Sequence, residues 1–146
     1  MRERGHRRPG NLGALGAIEI FRDSDGGIDS PCGIIASGND VWFTSIANGR
    51  IGRVRTADGT VETFSDPQDR MRLPANLFPS SDGRLWVTCL GSDSLASFDA
   101  LAPDPSRTIS ISTHPDLRGP VAIKAAATGL LWFTVRGSHA IASLDP

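Results

Sequence analysis

The sequence predicts an all-β protein of the β-propeller class, built of about three four-stranded antiparallel blades. Three observations carry that expectation. The stretch Val41-Trp42-Phe43-Thr44 returns as Leu85-Trp86-Val87-Thr88 and as Leu131-Trp132-Phe133-Thr134, and these copies hold all three tryptophans, 44 and then 46 residues apart. A proline (Pro31, Pro74, Pro120) stands eleven or twelve residues before each tryptophan, and each copy is followed by an apolar-small-polar-apolar run: Ile51-Gly52-Arg53-Val54, Leu95-Ala96-Ser97-Phe98 and Ile141-Ala142-Ser143-Leu144. Sixteen glycines and ten prolines break the chain too often for long helices but suit short strands joined by tight turns. Self-similarity at a period of roughly 40–45 residues, with several strands per repeat, is what propeller blades look like in sequence.

Taken in order, Ala17-Ile18-Glu19-Ile20-Phe21 predicts a first short strand, and a loop rich in Asp, Ser and Gly leads from it to Pro31. Residues 31–36 enter a second strand, the turn 37–40 follows, and 41–45 form the tryptophan strand. Asn48-Gly49 is a strong hairpin dipeptide, because both residue types tolerate positive φ. It hands over to 50–55, and Ala57-Asp58-Gly59 turns the chain into Thr60-Val61-Glu62-Thr63-Phe64. Four strands in sequence, joined by short turns, make an antiparallel meander. The second unit runs from Pro74 to Ser112, its last hairpin lengthened by 100–106 before a strand at 108–111; the third runs from Pro120 through three strands to Pro146. The expected layout is a disordered basic leader at 1–16 and propeller blades over 17–146, with repeats near 31–64, 74–112 and 120–146. The strand count is one orphan, then four, four and three.

The tryptophans read first as packing devices. Blades stack face to face, and a large rigid side chain between sheets buries about 150–250 Å². Threonine two positions later shares the same face and suits a strand. Trp42, Trp86 and Trp132 with Thr44, Thr88 and Thr134 therefore form the structural blade motif.

The net charge of −1 gives no reason to expect nucleic acid or an anionic membrane surface as partner. No apolar run approaches the roughly 18 residues of a membrane span, and 11–17 is too short and glycine-broken for a signal-peptide core. The cytoplasm is the expected compartment. Cys32 and Cys89 have neither the number of a disulfide framework nor metal-site spacing, and read as small packing residues. Asp40, Asp58 and Asp82 fall in turns, where an aspartate caps its own backbone. Arg50, Arg53 and Arg55 read as a solvated strand face. His6 lies in the leader, His114 in a loop and His139 in a hairpin turn, so no metal ligand set is expected.

With the repeats in register, the chain resembles the streptogramin B lyase (virginiamycin B lyase) family of β-propellers over about 18–146. The matching pieces are Pro31-Cys32-Gly33-Ile34, Val41-Trp42-Phe43-Thr44, Asn48-Gly49-Arg50-Ile51-Gly52-Arg53-Val54 and Asp58-Gly59-Thr60-Val61-Glu62-Thr63-Phe64; repeat one matches closely, two and three more loosely. Members of that family look like propellers of about seven blades and nearly twice this length, so the chain would be less than half of one. The resemblance implies a carbon–oxygen lyase of antibiotic resistance, which opens the ester of a cyclic depsipeptide by elimination with Mg²⁺ assisting. A base takes a proton α to the carbonyl, and a hard cation steadies the charge that develops.

In that family a histidine follows the blade-opening proline and a glutamate follows the Trp-Phe-Thr strand, both directed toward the central channel. Here the histidine slots hold Cys32, Ala75 and Val121, and the glutamate slots hold Ser45, Cys89 and Val135. No repeat carries the pair, so the catalytic residues are unknown. The leading expectation is a partial lyase-like propeller that is not catalytic alone, with active groups supplied by other blades or another chain. The alternative is a non-catalytic module that binds a ligand or a protein partner on one rim. No cofactor is evident beyond the Mg²⁺ of the resembling family. The expected partners are the missing blades of a longer protein, or a second copy of the chain exchanging the strand 18–21 to complete the third blade.

Overall fold

A computed structural model describes residues 16–146, so the leader falls, apart from Gly16, outside the described residues. Eleven strands among them form three antiparallel sheets, each a meander whose strands pair in chain order. Sheet 1 holds β1 (Pro31–Ser37), β2 (Asp40–Ser45), β3 (Arg50–Arg55) and β4 (Val61–Ser65). Sheet 2 holds β5 (Pro74–Pro79), β6 (Arg84–Cys89), β7 (Ser94–Asp99) and β8 (Ser110–Thr113), and sheet 3 holds β9 (Pro120–Ala125), β10 (Leu131–Val135) and β11 (Ala140–Leu144). The sheets stack in sequence, with β1 beside β5 and β5 beside β9.

The sequence pattern explains both faces of each sheet. Across the β2–β3 ladder Phe43 faces Gly52, and in the other sheets Val87 faces Ala96 and Phe133 faces Ala142. A Cβ at Gly52 would lie 1.9 Å from the Phe43 ring, so the small residue leaves the space that the ring fills. On the other face Trp42, 1% exposed, packs on Leu77, Leu85, Val87 and Phe98 of sheet 2, with the Phe98 ring centroid 5.2 Å away. Trp86 packs likewise on Ile123, Leu131 and Phe133 of sheet 3. Trp132 is 45% exposed, since no further sheet among the described residues lies over it.

Four expectations differ from the structure. Arg53 does not lie on a solvated face: it is buried, faces Trp42 across the ladder and stacks over the Trp42 and Phe64 rings at 5.1 and 5.5 Å. Its Nη2 donates to Glu62 Oε2 at 2.6 Å, so the buried charge is paired while its flat face covers the aromatic core. The Asn48-Gly49 hairpin is a four-residue loop, 46–49, in which Gly49 alone has positive φ; the Asn48 amide donates to Gly27 O instead. The strand expected at 108–111 starts at Ser110, because Asp104 caps a 3-10 turn at Pro105–Thr108, and the Thr108 hydroxyl accepts from Asp99 N and donates to Pro105 O. Residues 17–20 form no strand and Phe21 makes only an isolated bridge; none of the three sheets includes them, and the Phe21 ring lies instead beside Gly59 of the β3–β4 turn.

The loops after residues 21 and 64 nonetheless fold alike. Asp66 Oδ2 accepts from Arg70 N at 2.8 Å, and Asp23 Oδ2 accepts from Gly27 N at 3.0 Å, each four residues on. The preceding runs also match, Ile18-Glu19-Ile20-Phe21 against Val61-Glu62-Thr63-Phe64. The Asp66 side chain is 1% exposed and also accepts from the Arg70 guanidinium, whose hydrogen bonds outweigh burial and hold the carboxyl below the usual carboxylate range. A depressed folded value means that its stabilisation is complete above the unfolded value of about 4 and is lost as pH falls through the folded one. Denaturant melts between pH 3 and 7 should show Asp66→Asn less stable than the parent by about 1–3 kcal/mol at pH 7, with the gap closing toward pH 3. A gap independent of pH would exclude the ionised Asp66 as its source.

Candidate functional site

One end of the three-sheet stack is built the same way three times. The residue before each blade-opening proline is left-handed: Ser30 (φ 53°), Leu73 (φ 45°) and Gly119 (φ 62°). Right-handed helical backbone is disfavoured before proline, and side chains such as leucine seldom accept the left-handed region. Two backbone hydrogen bonds hold the conformation in every repeat. Ile46, Leu90 and Arg136 donate to the carbonyls of Ser30, Leu73 and Gly119, while Ala47, Gly91 and Gly137 donate to those of Asp29, Arg72 and Arg118. The facing loops each close on a second left-handed residue, Gly49, Asp93 or His139. Asp93 Oδ1 also accepts from Gly119 N at 2.8 Å and so joins the loops of sheets 2 and 3. Between loop 46–49 and the lead-in around Asp69, Met71 and Leu73 lies an open groove of about 310 Å³.

Just inside this rim, each proline strand is bulged and loses ladder register. The motif threonine takes over the displaced backbone donor: Thr44 Oγ1 accepts from Gly33 N at 2.8 Å, Thr88 Oγ1 from Asn76 N at 3.1 Å and Thr134 Oγ1 from Ala122 N at 3.0 Å. The same hydroxyls reach the next sheet. Thr44 donates to Ala75 O at 3.2 Å and Thr88 to Val121 O at 2.5 Å. Sequence reasoning missed this role and read the threonine for its strand propensity. A signal was present, since the residue between Trp and Thr varies while the hydroxyl recurs where valine would suit a strand as well.

The six slot residues sit at this rim in three like pairs, because Pro31 pairs with Ser45, Pro74 with Cys89 and Pro120 with Val135. Cys32 is exposed, Ala75 and Val135 are buried and Val121 is half-buried. Ser45 Oγ is committed to the lead-in loop, accepting from Asp29 N at 2.7 Å and lying 3.1 Å from Asp29 O. Burial pushes the Cys89 thiol up to about 12, which leaves it protonated and inert near neutral pH. The set therefore offers no imidazole and no carboxylate. Among the described residues no three His, Cys, Asp or Glu side chains lie close enough to hold a metal ion, so the donors do not fit a hard cation such as Mg²⁺. His114 is exposed in its loop, where Nδ1 accepts from Asp116 N at 3.1 Å, and His139 is exposed on its turn. His6 lies outside the described residues. No helix among them is long and apolar enough to cross a membrane.

Solved structures of known proteins match this arrangement. Virginiamycin B lyase from Staphylococcus aureus matches at 25% identity and a TM-score of 0.68 over 88% of this chain and 44% of its own. A streptogramin B lyase matches at 27% identity and a TM-score of 0.69, over 89% of this chain and 44% of its own. The fold is that of β-propeller blades. A chain of a nidogen/laminin complex shares this fold at 18% identity, with a TM-score of 0.68. The chain thus spans less than half the length of the lyases it resembles. No protein-family model matches the sequence, and none of the curated proteins does.

Proposed function

We propose that the chain is a scaffold segment of a streptogramin-B-lyase-like propeller, contributing the rim and the inter-sheet packing of an active centre rather than its acid–base groups. The similarity to two lyases at 25% and 27% identity supports the family reading. The observation that carries the non-catalytic part is the chemistry of the rim pairs Cys32/Ser45, Ala75/Cys89 and Val121/Val135. Elimination next to an ester carbonyl needs a base within reach of the α-proton and a group that stabilises the developing enolate. Neither the occupied Ser45 hydroxyl nor the protonated Cys89 thiol supplies one. Purified protein incubated with a streptogramin B antibiotic, with and without Mg²⁺, should leave the ring intact by mass spectrometry. Ring opening at enzyme-like rates, on the order of 1 s⁻¹ or faster, would falsify the assignment of a scaffold role.

A further inference from the structure

The rim builds one contact between sheets 2 and 3 and leaves its counterpart between sheets 1 and 2 unfilled. Leu73 and Gly119 hold the same place in their repeats. Each is left-handed ahead of its proline, at φ 45° and 62°, and each accepts at its carbonyl from the facing loop, from Leu90 N and Arg136 N. With the same backbone conformation and the same bond, the two amides point the same way, toward the loop of the preceding sheet. Gly119 N meets Asp93 Oδ1 there at 2.8 Å, Asp93 being the left-handed residue that closes the loop of sheet 2. The corresponding residue of sheet 1 is Gly49, which has no side chain to offer. Among the described residues Leu73 N has no acceptor, although a backbone amide is an obligatory donor.

The loop of sheet 1 cannot supply the acceptor itself. A Cβ at Gly49 would lie 2.8 Å from Met71 O, so no side chain enters from that position without moving the lead-in backbone. Gly49 and Leu73 instead border the open groove of about 310 Å³. Ile46 and Leu73 give it apolar surface, with Leu73 42% exposed. Arg72 adds a guanidinium whose acidic partner, Asp69, stands 3.8 Å away, and both side chains are well exposed. So loose a pair leaves the guanidinium free to take a second acceptor.

We propose that this groove binds a small aliphatic carboxylate, whose head group takes the Leu73 N–H and the Arg72 guanidinium and whose tail lies on Leu73 and Ile46. The head group stands where the Asp93 carboxylate stands one repeat further on. That stand-in is the reason to expect a carboxylate: the chain already satisfies the same amide with one. A single amide and a single guanidinium suit a planar, singly charged acceptor held by charge-assisted bonds. Asp69 in the same groove disfavours an anion of higher charge. The groove lies between the two four-stranded sheets and uses none of the six slot residues, so the inference stands apart from the lyase reading.

Backbone amide NMR of the whole chain, titrated with hexanoate at neutral pH and with hexanamide as the uncharged control, tests it. The Leu73 amide should shift saturably at millimolar hexanoate, the range that one or two charge-assisted bonds support, and stay in place with hexanamide. Arg72→Ala, at an exposed position, should weaken binding about tenfold. Asp93→Gly, in which the new residue accepts the left-handed backbone, should open a second site, with the Gly119 amide now answering hexanoate as it does not in the parent. A Leu73 amide that ignores hexanoate, or answers hexanamide equally, would overturn the proposal. So would undiminished binding by Arg72→Ala, or a folded Asp93→Gly whose Gly119 amide stays unresponsive.

Discussion

Trp42→Ala should cost about 3–5 kcal/mol, the range for removing a fully buried aromatic side chain, and so a large fraction of the stability of a typical domain. Trp42 does more than fill space between sheets 1 and 2. Its ring meets Phe98 and Phe64 and lies under the Arg53 guanidinium. Its loss opens a cavity that cannot collapse without parting the sheets, and it takes away half of the aromatic surface on which a buried cation rests. Urea denaturation followed by fluorescence of the remaining tryptophans measures the effect. A loss below about 1 kcal/mol would mean that Trp42 is not the packing centre of that interface. Trp132→Ala, at a half-exposed position outside both buried clusters, should cost less.

Gly33→Ala should destabilise by about 1–3 kcal/mol, typical of forced overpacking, although it adds a single methyl group. The methyl carbon would lie 2.7 Å from the Cα of Asn76 and 2.8 Å from the carbonyl oxygen of Ala75. Both are backbone atoms of β5, so no side-chain rotation relieves the contact. Sheets 1 and 2 must separate, which stretches the Thr44–Ala75 hydrogen bond as well. Its counterparts Asn76 and Ala122 carry side chains at the same place, so the demand is specific to where β1 crosses β5. Thermal unfolding of Gly33→Ala and Gly33→Val, the second expected to be worse, tests it. Equal melting temperatures for parent and both variants would show that β1 is free to move away.

The strands were legible because their signals are local. Tryptophan, proline and the glycine-rich turns repeat at fixed spacing, and the small residue of each following strand is visible as Gly52, Ala96 or Ala142. What stayed hidden depends on groups that carry no side-chain signature. The partner of the Thr44 hydroxyl is a backbone carbonyl 31 residues away, and the left-handed turns at Ser30 and Leu73 are imposed by hydrogen bonds to a distant loop. Arg53 looked solvated because charge was weighed without its cross-strand neighbour Trp42. At the rim, the absence of a histidine–glutamate pair was readable from the sequence, whereas the engagement of Ser45 and the inertness of Cys89 were not, since both follow from burial.

The hydroxyl shared between a sheet's own bulge and the next sheet's carbonyl ties the folding of neighbours together. Opening sheet 2 removes the acceptor of Thr44 and so loosens the atom that holds the Gly33 amide in sheet 1. Local opening therefore spreads along the stack in nearest-neighbour steps, as in a one-dimensional lattice whose units are each marginal alone. Amide exchange is expected to be slowest beside the two interfaces where the Thr44 and Thr88 hydroxyls reach the next sheet. The stack is tied most firmly where one sheet's hydroxyl meets its neighbour's backbone, and a variant's effect on global stability is expected to depend on its distance from those two contacts as much as on its chemistry.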